Sequence, residues 1–125
     1  MIIDTNAVSA ILAGEAAIRP IIEHATTLVI PAVVLGEYRY GITASHKKHE
    51  LTEALDRLLR NVSFAPVDEP VTAAYAEVRR ALKTAGTPIP ENDVWIAATA
   101  RRYEMPLLSK DSHFDVVPGI RRVGW

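Results

Sequence analysis

The stretch MIIDTN at residues 1–6 decides the fold that the rest of the sequence supports. Its apolar beginning is short enough for a buried parallel strand, and that strand ends on Asp4. Thr5 and Asn6 are residue types that cap a following helix. A carboxylate directly after a buried strand is unfavourable unless it is paired or bound to a metal. Asp4 is therefore the first candidate for a functional residue.

Outward from this stretch, short apolar segments alternate with segments of helical periodicity. The further predicted strands are residues 27–30, 62–67, 106–109 and 120–123. One helix is predicted after Asn6, and two more are predicted to begin at Pro31 and at Pro70. Three further helices are predicted over residues 15–24, 47–60 and 94–100. Strands that alternate with helices predict an α/β sandwich with a mainly parallel sheet. Because the 125 residues contain no repeat or linker, we expect one domain.

The composition limits the possible functions. Apolar residues make up 49% of the chain and cysteine is absent, so metal ligands must be hard oxygens or histidine. The sequence shows neither the pattern of a signal peptide nor an apolar run near the ~20 residues of a membrane span, so we expect a soluble cytoplasmic protein. With a net charge of −1, the chain lacks the overall positive charge that is typical of nucleic-acid-binding proteins. Any contact with a nucleic acid must therefore use local positive patches.

Four carboxylates are expected at one edge of the predicted sheet. Ligands of parallel α/β sheets bind beyond the carboxyl ends of the strands, where the crossover helices also begin. Asp4 ends the first strand, and Asp111 follows the fourth by two residues. Asp93 lies in the first turn of its helix, and Glu37 lies within the first two turns of the helix that begins at Pro31. At 100° per residue, Glu37 is about 60° from the apolar stripe and flanks the core.

Three of these acids also have ordinary structural explanations. Asp93 could compensate the helix dipole, Asp111 could be a turn residue, and Glu37 could be a solvated helix acid. Four carboxylates held close together repel one another, however, and a bound divalent cation relieves that repulsion. Their joint placement therefore indicates metal-dependent hydrolysis.

Four segments together resemble the PIN-domain nucleases. They are IIDTN at residues 2–6, VLGE at 34–37, NDVWIAA at 92–98 and LLSKDSHF at 107–114. The segments occur in this order at fitting spacing along the whole chain. With its length and the PGI at residues 118–120, the chain is similar to the VapC-type toxins of toxin–antitoxin pairs.

The resemblance implies an α/β/α sandwich with strand order 3-2-1-4-5, formed by residues 1–125 as a single PIN domain. It implies an endoribonuclease that depends on Mg²⁺ or Mn²⁺ and cleaves RNA. It also implies a homodimer and a cognate VapB-type antitoxin, which would form a hetero-oligomer with the toxin.

Individual positions carry this resemblance. The acidic quartet that would bind the metal matches Asp4, Glu37, Asp93 and Asp111. Asn6 matches a small polar position that supports the metal site, and Ser109 matches a Thr or Ser that often precedes the last acid. Asp4 and Asp93 are the expected direct ligands, whereas the other two acids bind metal, order waters or act as base. Asp115 is a further acid that we rank below the quartet.

Four cations are candidates for contacts with substrate phosphates. Arg39 and Lys110 lie close in sequence to acids of the quartet, and Lys47 and Lys48 are weaker candidates. The alternative for each is an ordinary solvated surface cation.

The histidines and tryptophans have simpler explanations. His46 and His49 share one helical face, but we expect them to be exposed rather than to bind metal. His113 is close enough to Asp111 to touch substrate, although we expect a structural role in the turn. Trp95 and Trp125 are expected in the core or at an interface.

Two other functions stay open at this point. A phosphotransfer protein also has an aspartate after its first strand, but Asn6 stands where a haloacid-dehalogenase-type phosphatase needs its second aspartate. A receiver domain would use Asp68 after the third strand and would leave Glu37 and Asp93 without a role. The second alternative is a non-catalytic metal-binding module, against which the intact quartet argues.

Overall fold

A computed structural model describes all residues, 1–125. Its sheet has five short strands: β1 Ile2–Ile3, β2 Val29–Pro31, β3 Ser63–Ala65, β4 Leu107–Leu108 and β5 Arg122–Val123. All neighbouring strands pair in parallel, and their order is β3-β2-β1-β4-β5. The predicted parallel sheet and its strand order are therefore confirmed.

Six helices connect and flank these strands. They are α1 Thr5–Ala13, α2 Arg19–His24, α3 Ala32–Thr43, α4 Lys48–Leu59, α5 Glu69–Ala85 and α6 Glu91–Tyr103, and a 3₁₀ helix spans Ser112–Val116. None of the helices combines the length and the apolar character that a membrane crossing requires.

The core lies around the two central strands and α6. Both residues of β1 and both residues of β4 are fully buried, as expected for central strands of a parallel sheet. Helix α6 is buried on nearly every side because small residues such as Ala97 and Ala100 let its neighbours approach closely. Trp95 stacks on Tyr75 of α5 with the ring centroids 3.9 Å apart. Trp95 therefore packs between α6 and α5, in keeping with its expected structural role.

The cap of α1 differs from the prediction. Thr5 and Asn6 were expected to cap this helix, but Asp4 is the N-cap residue, and its Oδ1 accepts the Thr5 backbone N–H at 2.7 Å. The extended backbone of Asp4 leaves β1 and turns its carboxylate back onto the first turn. Thr5 and Asn6 therefore lie inside the helix, which leaves the Asn6 amide free for other contacts.

Several other elements are shorter than predicted. The expected helix over residues 15–24 is helical only from Arg19, because Pro20 has no N–H to donate and suits a first turn. The strand expected over residues 62–67 pairs only at Ser63–Ala65, and Phe64 on this edge strand is 53% exposed. Apolar residues thus continue beyond the hydrogen-bonded part of the strand.

The register of the central strands positions the acidic edge. Ile3 pairs with Leu108, and the Asp4 N–H donates to the Leu108 carbonyl at 3.1 Å. The residues that follow β1 and β4 therefore leave the sheet side by side. Helices α3 and α6 both begin directly after a proline: Pro31 is the last paired residue of β2, opposite Ala65, and Pro90 ends a loop.

Candidate active site

Asp4 lies at the centre of the site, where its carboxylate is almost fully buried at 5% exposure. Its Oδ2 accepts the Ser109 hydroxyl at 2.7 Å and the Asn6 amide at 3.3 Å. Burial raises the pKa of Asp4, the donors Ser109 and Thr5 oppose that rise, and the nearby charge of Asp111 adds to it. Asp4 is held by neutral donors and has no cation as a partner.

Ser109 and Asn6 connect the end of β1 with the loop that follows β4. The fully buried Ser109 hydroxyl donates to Asp4 and accepts the Asp111 N–H at 2.9 Å. The Asn6 amide donates to the same hydroxyl at 3.3 Å, and its carbonyl accepts the Lys110 N–H at 3.2 Å. Both residues therefore orient Asp4 and fix the beginning of the loop that carries Asp111.

Asp93, Asp111 and His113 form a compact group beside Asp4. The His113 Nδ1 lies 3.0 Å from an oxygen of Asp111 and 3.4 Å from an oxygen of Asp93. One ligand atom from each of the three residues lies within 4.8 Å of the others. Burial raises the pKa of Asp93, with further contributions from Asp4 and Asp111, while His113 opposes the rise.

His113 has more contact with the acids than the sequence suggested. Its backbone N–H donates to Asp111 at 2.9 Å, which is the expected turn role. Its ring also faces two acids of the quartet, because the 3₁₀ helix brings it back over the edge of the sheet. The only signal in the sequence is its position two residues after Asp111.

Glu37 completes the group from α3. Its Oε1 is buried and has no hydrogen-bond partner, and the same holds for Thr5 Oγ1. Burial raises the pKa of Glu37, and the charges of Asp4 and Asp93 raise it further, whereas the nearby Thr5 hydroxyl acts weakly in the other direction. The structure thus brings all four predicted acids close enough for their charges to raise pKa values within the group, while only Asp93 and Asp111, with His113, have ligand atoms within 4.8 Å of one another.

This group fits a divalent cation. A buried carboxylate oxygen without a donor is unfavourable in the folded protein unless something binds it. The available ligand atoms are carboxylate oxygens and one imidazole nitrogen, a set that suits Mg²⁺ or Mn²⁺. His113 is the only side chain with cationic character that contacts the acids, and it is exposed.

The candidate phosphate contacts separate into two kinds. Arg39 is exposed and forms no ion pair, and Lys47 and Lys48 are also exposed. Lys110, in contrast, pairs with Glu15 at 3.1 Å and lies over the Trp125 ring. The expected contact of Lys110 with substrate stays a prediction, and Glu15, a carboxylate outside the quartet, shares its ammonium.

The remaining candidates lie outside the acidic group. His46 and His49 are exposed as expected, and His49 pairs with Glu53 on its own helix. Asp115 faces away from the quartet and forms an ion pair with Arg122 at 2.7 Å. The Trp125 indole donates to Glu15 at 3.0 Å.

Comparisons with known proteins agree with this fold. The family model described as PIN domain matches residues 1–120. Ribonuclease VapC4 of Mycobacterium tuberculosis is 30% identical over 93 residues, which cover 73% of this chain and 72% of VapC4. Toxin FitB of Neisseria gonorrhoeae is 33% identical over 89 residues, which cover 66% of this chain and 64% of FitB.

A solved structure shows the same fold over nearly the whole chain. It is the crystal structure of VapBC2 from Rickettsia felis bound to a DNA fragment from their promoter. The TM-score is 0.87 at 24% identity, with 99% of this chain and 97% of that chain covered. Together with the match of the family model over residues 1–120, this agreement shows that the chain belongs to the PIN-domain family.

Proposed function

We propose that this chain is a metal-dependent endoribonuclease and the toxin of a toxin–antitoxin pair. The observation that carries the proposal is the group of four carboxylates without a lysine or arginine partner, in which Glu37 Oε1 is buried and unpaired. The similarity to a protein named ribonuclease and to a protein named toxin supports both parts of the proposal. We further propose that residues 1–125 act as one domain in the cytoplasm.

Asp4 and Asp93 are the proposed direct ligands of the metal, and Glu37 and Asp111 complete the site. When bound, Mg²⁺ or Mn²⁺ supplies hydroxide near neutral pH and neutralises charge on the scissile phosphate. The Ser109 hydroxyl and the Thr5 N–H hold one oxygen each of Asp4, so its carboxylate is oriented before any ligand arrives.

Glu37 is suited to accept a proton from the attacking water. Its raised pKa lies closer to neutral pH than that of an exposed glutamate, as an efficient general base requires. The buried Oε1 has no hydrogen-bond partner within the protein, although the Thr5 hydroxyl, which also has no partner, lies near this carboxyl group. Arg39, exposed on the same helix and without an ion pair, is the proposed contact with an RNA phosphate.

The proposed partners are RNA, a second copy of this chain and a VapB-type antitoxin. The fold match to a VapBC2 structure supports the antitoxin, because that structure holds the two proteins together on promoter DNA. The phosphotransfer alternative has no support, because Asp68 is the N-cap of α5 and accepts the Val71 N–H at 3.2 Å.

The test is cleavage of total cellular RNA by the purified chain without its antitoxin. We expect discrete fragments with Mg²⁺ or Mn²⁺ and none with EDTA. Asp4→Asn should lower the cleavage rate by roughly 10³-fold, because several kcal/mol of transition-state stabilisation come from the metal. Asp56→Asn is the matched control, because Asp56 is exposed on α4 and should leave the rate unchanged.

Two results would contradict the proposal. Full cleavage by a correctly folded Asp4→Asn protein would exclude the assigned site. Well-folded wild-type protein that cleaves no RNA with either metal would instead favour a non-catalytic metal-binding module.

A further inference from the structure

We infer that Arg122 on β5 is a positioning residue, which holds the loop of residues 109–115 so that Asp111 and His113 face the other acids. The inference rests on the proposed function, since it assigns Arg122 a role in that same site. Arg122 touches none of the four acids through a hydrogen bond, and it acts through the backbone and through Asp115.

The guanidinium of Arg122 binds both ends of this loop. Its Nε and Nη2 donate to the two carboxylate oxygens of Asp115 at 2.7 and 2.8 Å. Its Nη1 donates to the Ser109 carbonyl at 3.1 Å. A bidentate pair fixes direction as well as distance, because the guanidinium and the carboxylate are both planar. One side chain thus joins Ser109, two residues before Asp111, to Asp115, two residues after His113.

The backbone hydrogen bonds of this loop give it only partial support. Residues 112–116 form a 3₁₀ helix, whose hydrogen-bond geometry is poorer than that of an α-helix. The Phe114 N–H reaches the Asp111 carbonyl only at 3.4 Å, although the side chains of Ser109 and Asp111 each accept a loop N–H at 2.9 Å. Ser109 and Phe114 are the fully buried residues of the loop, whereas Asp115 at its far end is exposed.

The sheet places Arg122 where it can make these contacts. Arg122 pairs with Leu107, and the Ser109 N–H donates to the Val123 carbonyl at 3.0 Å, so β5 runs beside the loop's beginning. Gly124 leaves space for the guanidinium, because a Cβ at Gly124 would lie 3.0 Å from Arg122 Nη1.

Asp115 has a second effect, which is electrostatic. The pKa of Arg122 is raised, chiefly by its hydrogen bonds with Asp115, and the charge of Asp111 acts in the same direction. Because Asp115 satisfies the guanidinium, Arg122 can position the loop without neutralising the carboxylate of Asp111. Removal of Asp115 would free this cation to compete with a metal for Asp111.

The primary test compares Arg122→Met with Arg121→Met in the full chain. Arg121 is exposed directly before β5 and has no side-chain partner, and its replacement removes the same charge, so it is the matched control. We expect Arg122→Met to lower the affinity for Mn²⁺, measured by calorimetry, by about 10–100-fold. With saturating RNA, kcat should fall by a similar factor while KM for RNA stays within about twofold, because Arg122 does not bind RNA.

Hydrogen exchange provides a readout that does not depend on metal or cleavage. The N–H groups of Asp111, His113 and Phe114 should exchange faster in Arg122→Met, while those of α5 should be unchanged. Arg122→Lys should restore only part of the protection, because an ammonium cannot bind Ser109 and both Asp115 oxygens together. Should Arg122→Met fail to fold, Arg122→Lys serves for all three measurements.

A charge exchange separates positioning from simple ion pairing. Asp115→Arg with Arg122→Asp can restore the ion pair but cannot donate to the Ser109 carbonyl. We expect this double variant to recover thermal stability without recovering Mn²⁺ affinity. The inference would be overturned if wild type and Arg122→Met showed equal hydrogen exchange in the loop and equal affinity for Mn²⁺. If the wild-type protein cleaved no RNA, only the proposed function would be refuted. Hydrogen exchange of the loop would still test the role of Arg122.

Discussion

The acids of this protein form two contrasting sets. Glu15 and Asp115 each bind a cation, and their pKa values are lowered, by the Trp125 and Lys110 hydrogen bonds in one case and by Arg122 in the other. Glu91 likewise pairs with Arg79. The acids at the carboxyl edge of the sheet have no lysine or arginine partner, and only the exposed His113 contacts two of them. The pKa values of Asp4, Glu37 and Asp93 are raised.

The difference is not due to a shortage of cations. The chain has 14 lysines and arginines for 15 aspartates and glutamates. Lys110 and Arg122 even lie beside the site, yet each is bound by an acid outside the quartet. The fold therefore pairs the lysine and arginine beside the site with other acids. The negative charge of the quartet can then be balanced by a cation from solution.

The largest expected effect in this comparison is stabilisation by a divalent ion. At 100 times its dissociation constant, Mg²⁺ or Mn²⁺ should raise the free energy of unfolding by about 2.7 kcal/mol. This corresponds to a rise of roughly 10 °C in Tm, measured by calorimetry. The rise should shrink strongly in Asp93→Asn and persist in Asp56→Asn. An equal rise in wild type and Asp93→Asn would mean that the ion binds elsewhere.

Removal of the Ser109 hydroxyl should have the next largest effect. Ser109→Ala leaves the Asp111 N–H without a partner and leaves Asp4 Oδ2 with only the Asn6 amide at 3.3 Å, so the free energy of unfolding should fall by about 1–3 kcal/mol. Cleavage should fall by about 10–100-fold, because the hydroxyl orients a proposed ligand. Urea denaturation and cleavage rates measure the two effects. The exposed Ser112→Ala is the control, and equal behaviour of the two variants would contradict the role of Ser109.

The pH dependence of metal-free stability should distinguish the two sets. Raised pKa values of Asp4, Glu37 and Asp93 give stability that is complete below the ordinary range near ~4 and is lost as pH rises through the raised values. Lowered pKa values of Glu15 and Asp115 give stability that is complete above that range and is lost as pH falls. Metal-free Asp4→Asn should therefore lose less stability than wild type as pH rises toward neutral in denaturation series. An unchanged pH profile would count against an ionised, unpaired Asp4.

The smallest effect is expected in the paired set. Glu91→Gln breaks the exposed ion pair with Arg79 and weakens the contact with the Tyr75 hydroxyl. Such exposed pairs contribute up to about 1 kcal/mol, so the fall in unfolding free energy should not exceed that value. RNA cleavage should be unchanged, although Glu91 lies only two residues from Asp93. A large loss of cleavage would mean that the two sets are not functionally separate.

The edge of the sheet could be predicted because it follows from short-range patterns. The apolar residues before Asp4 mark a central strand, and proline marks the beginning of α3. Parallel topology then brings the residues after β1 and β4 to one place without knowledge of any side-chain contact. Both the acidic group and the strand order were therefore within reach of the sequence.

Contacts between distant side chains could not be predicted in the same way. The cap made by Asp4 depends on its extended backbone, and the position of His113 depends on a 3₁₀ turn that hydrophobic periodicity does not reveal. The ion pair of Asp115 with Arg122 depends on the register of β5 beside β4. The ion pair of Lys110 with Glu15 was not expected, because closeness in sequence to Asp111 says nothing about a competing acid elsewhere in the chain.

The central position of β1 has a consequence for the timing of protein synthesis. Asp4 is made 105 residues before its partner Ser109. At about 5–20 residues per second, roughly 5–20 s separate the two on the ribosome. During this interval the nascent chain has neither β4 nor Asp111, so the acidic edge cannot form. A protein proposed to cleave RNA thus stays inactive while the segment between Asp4 and Ser109 is being translated.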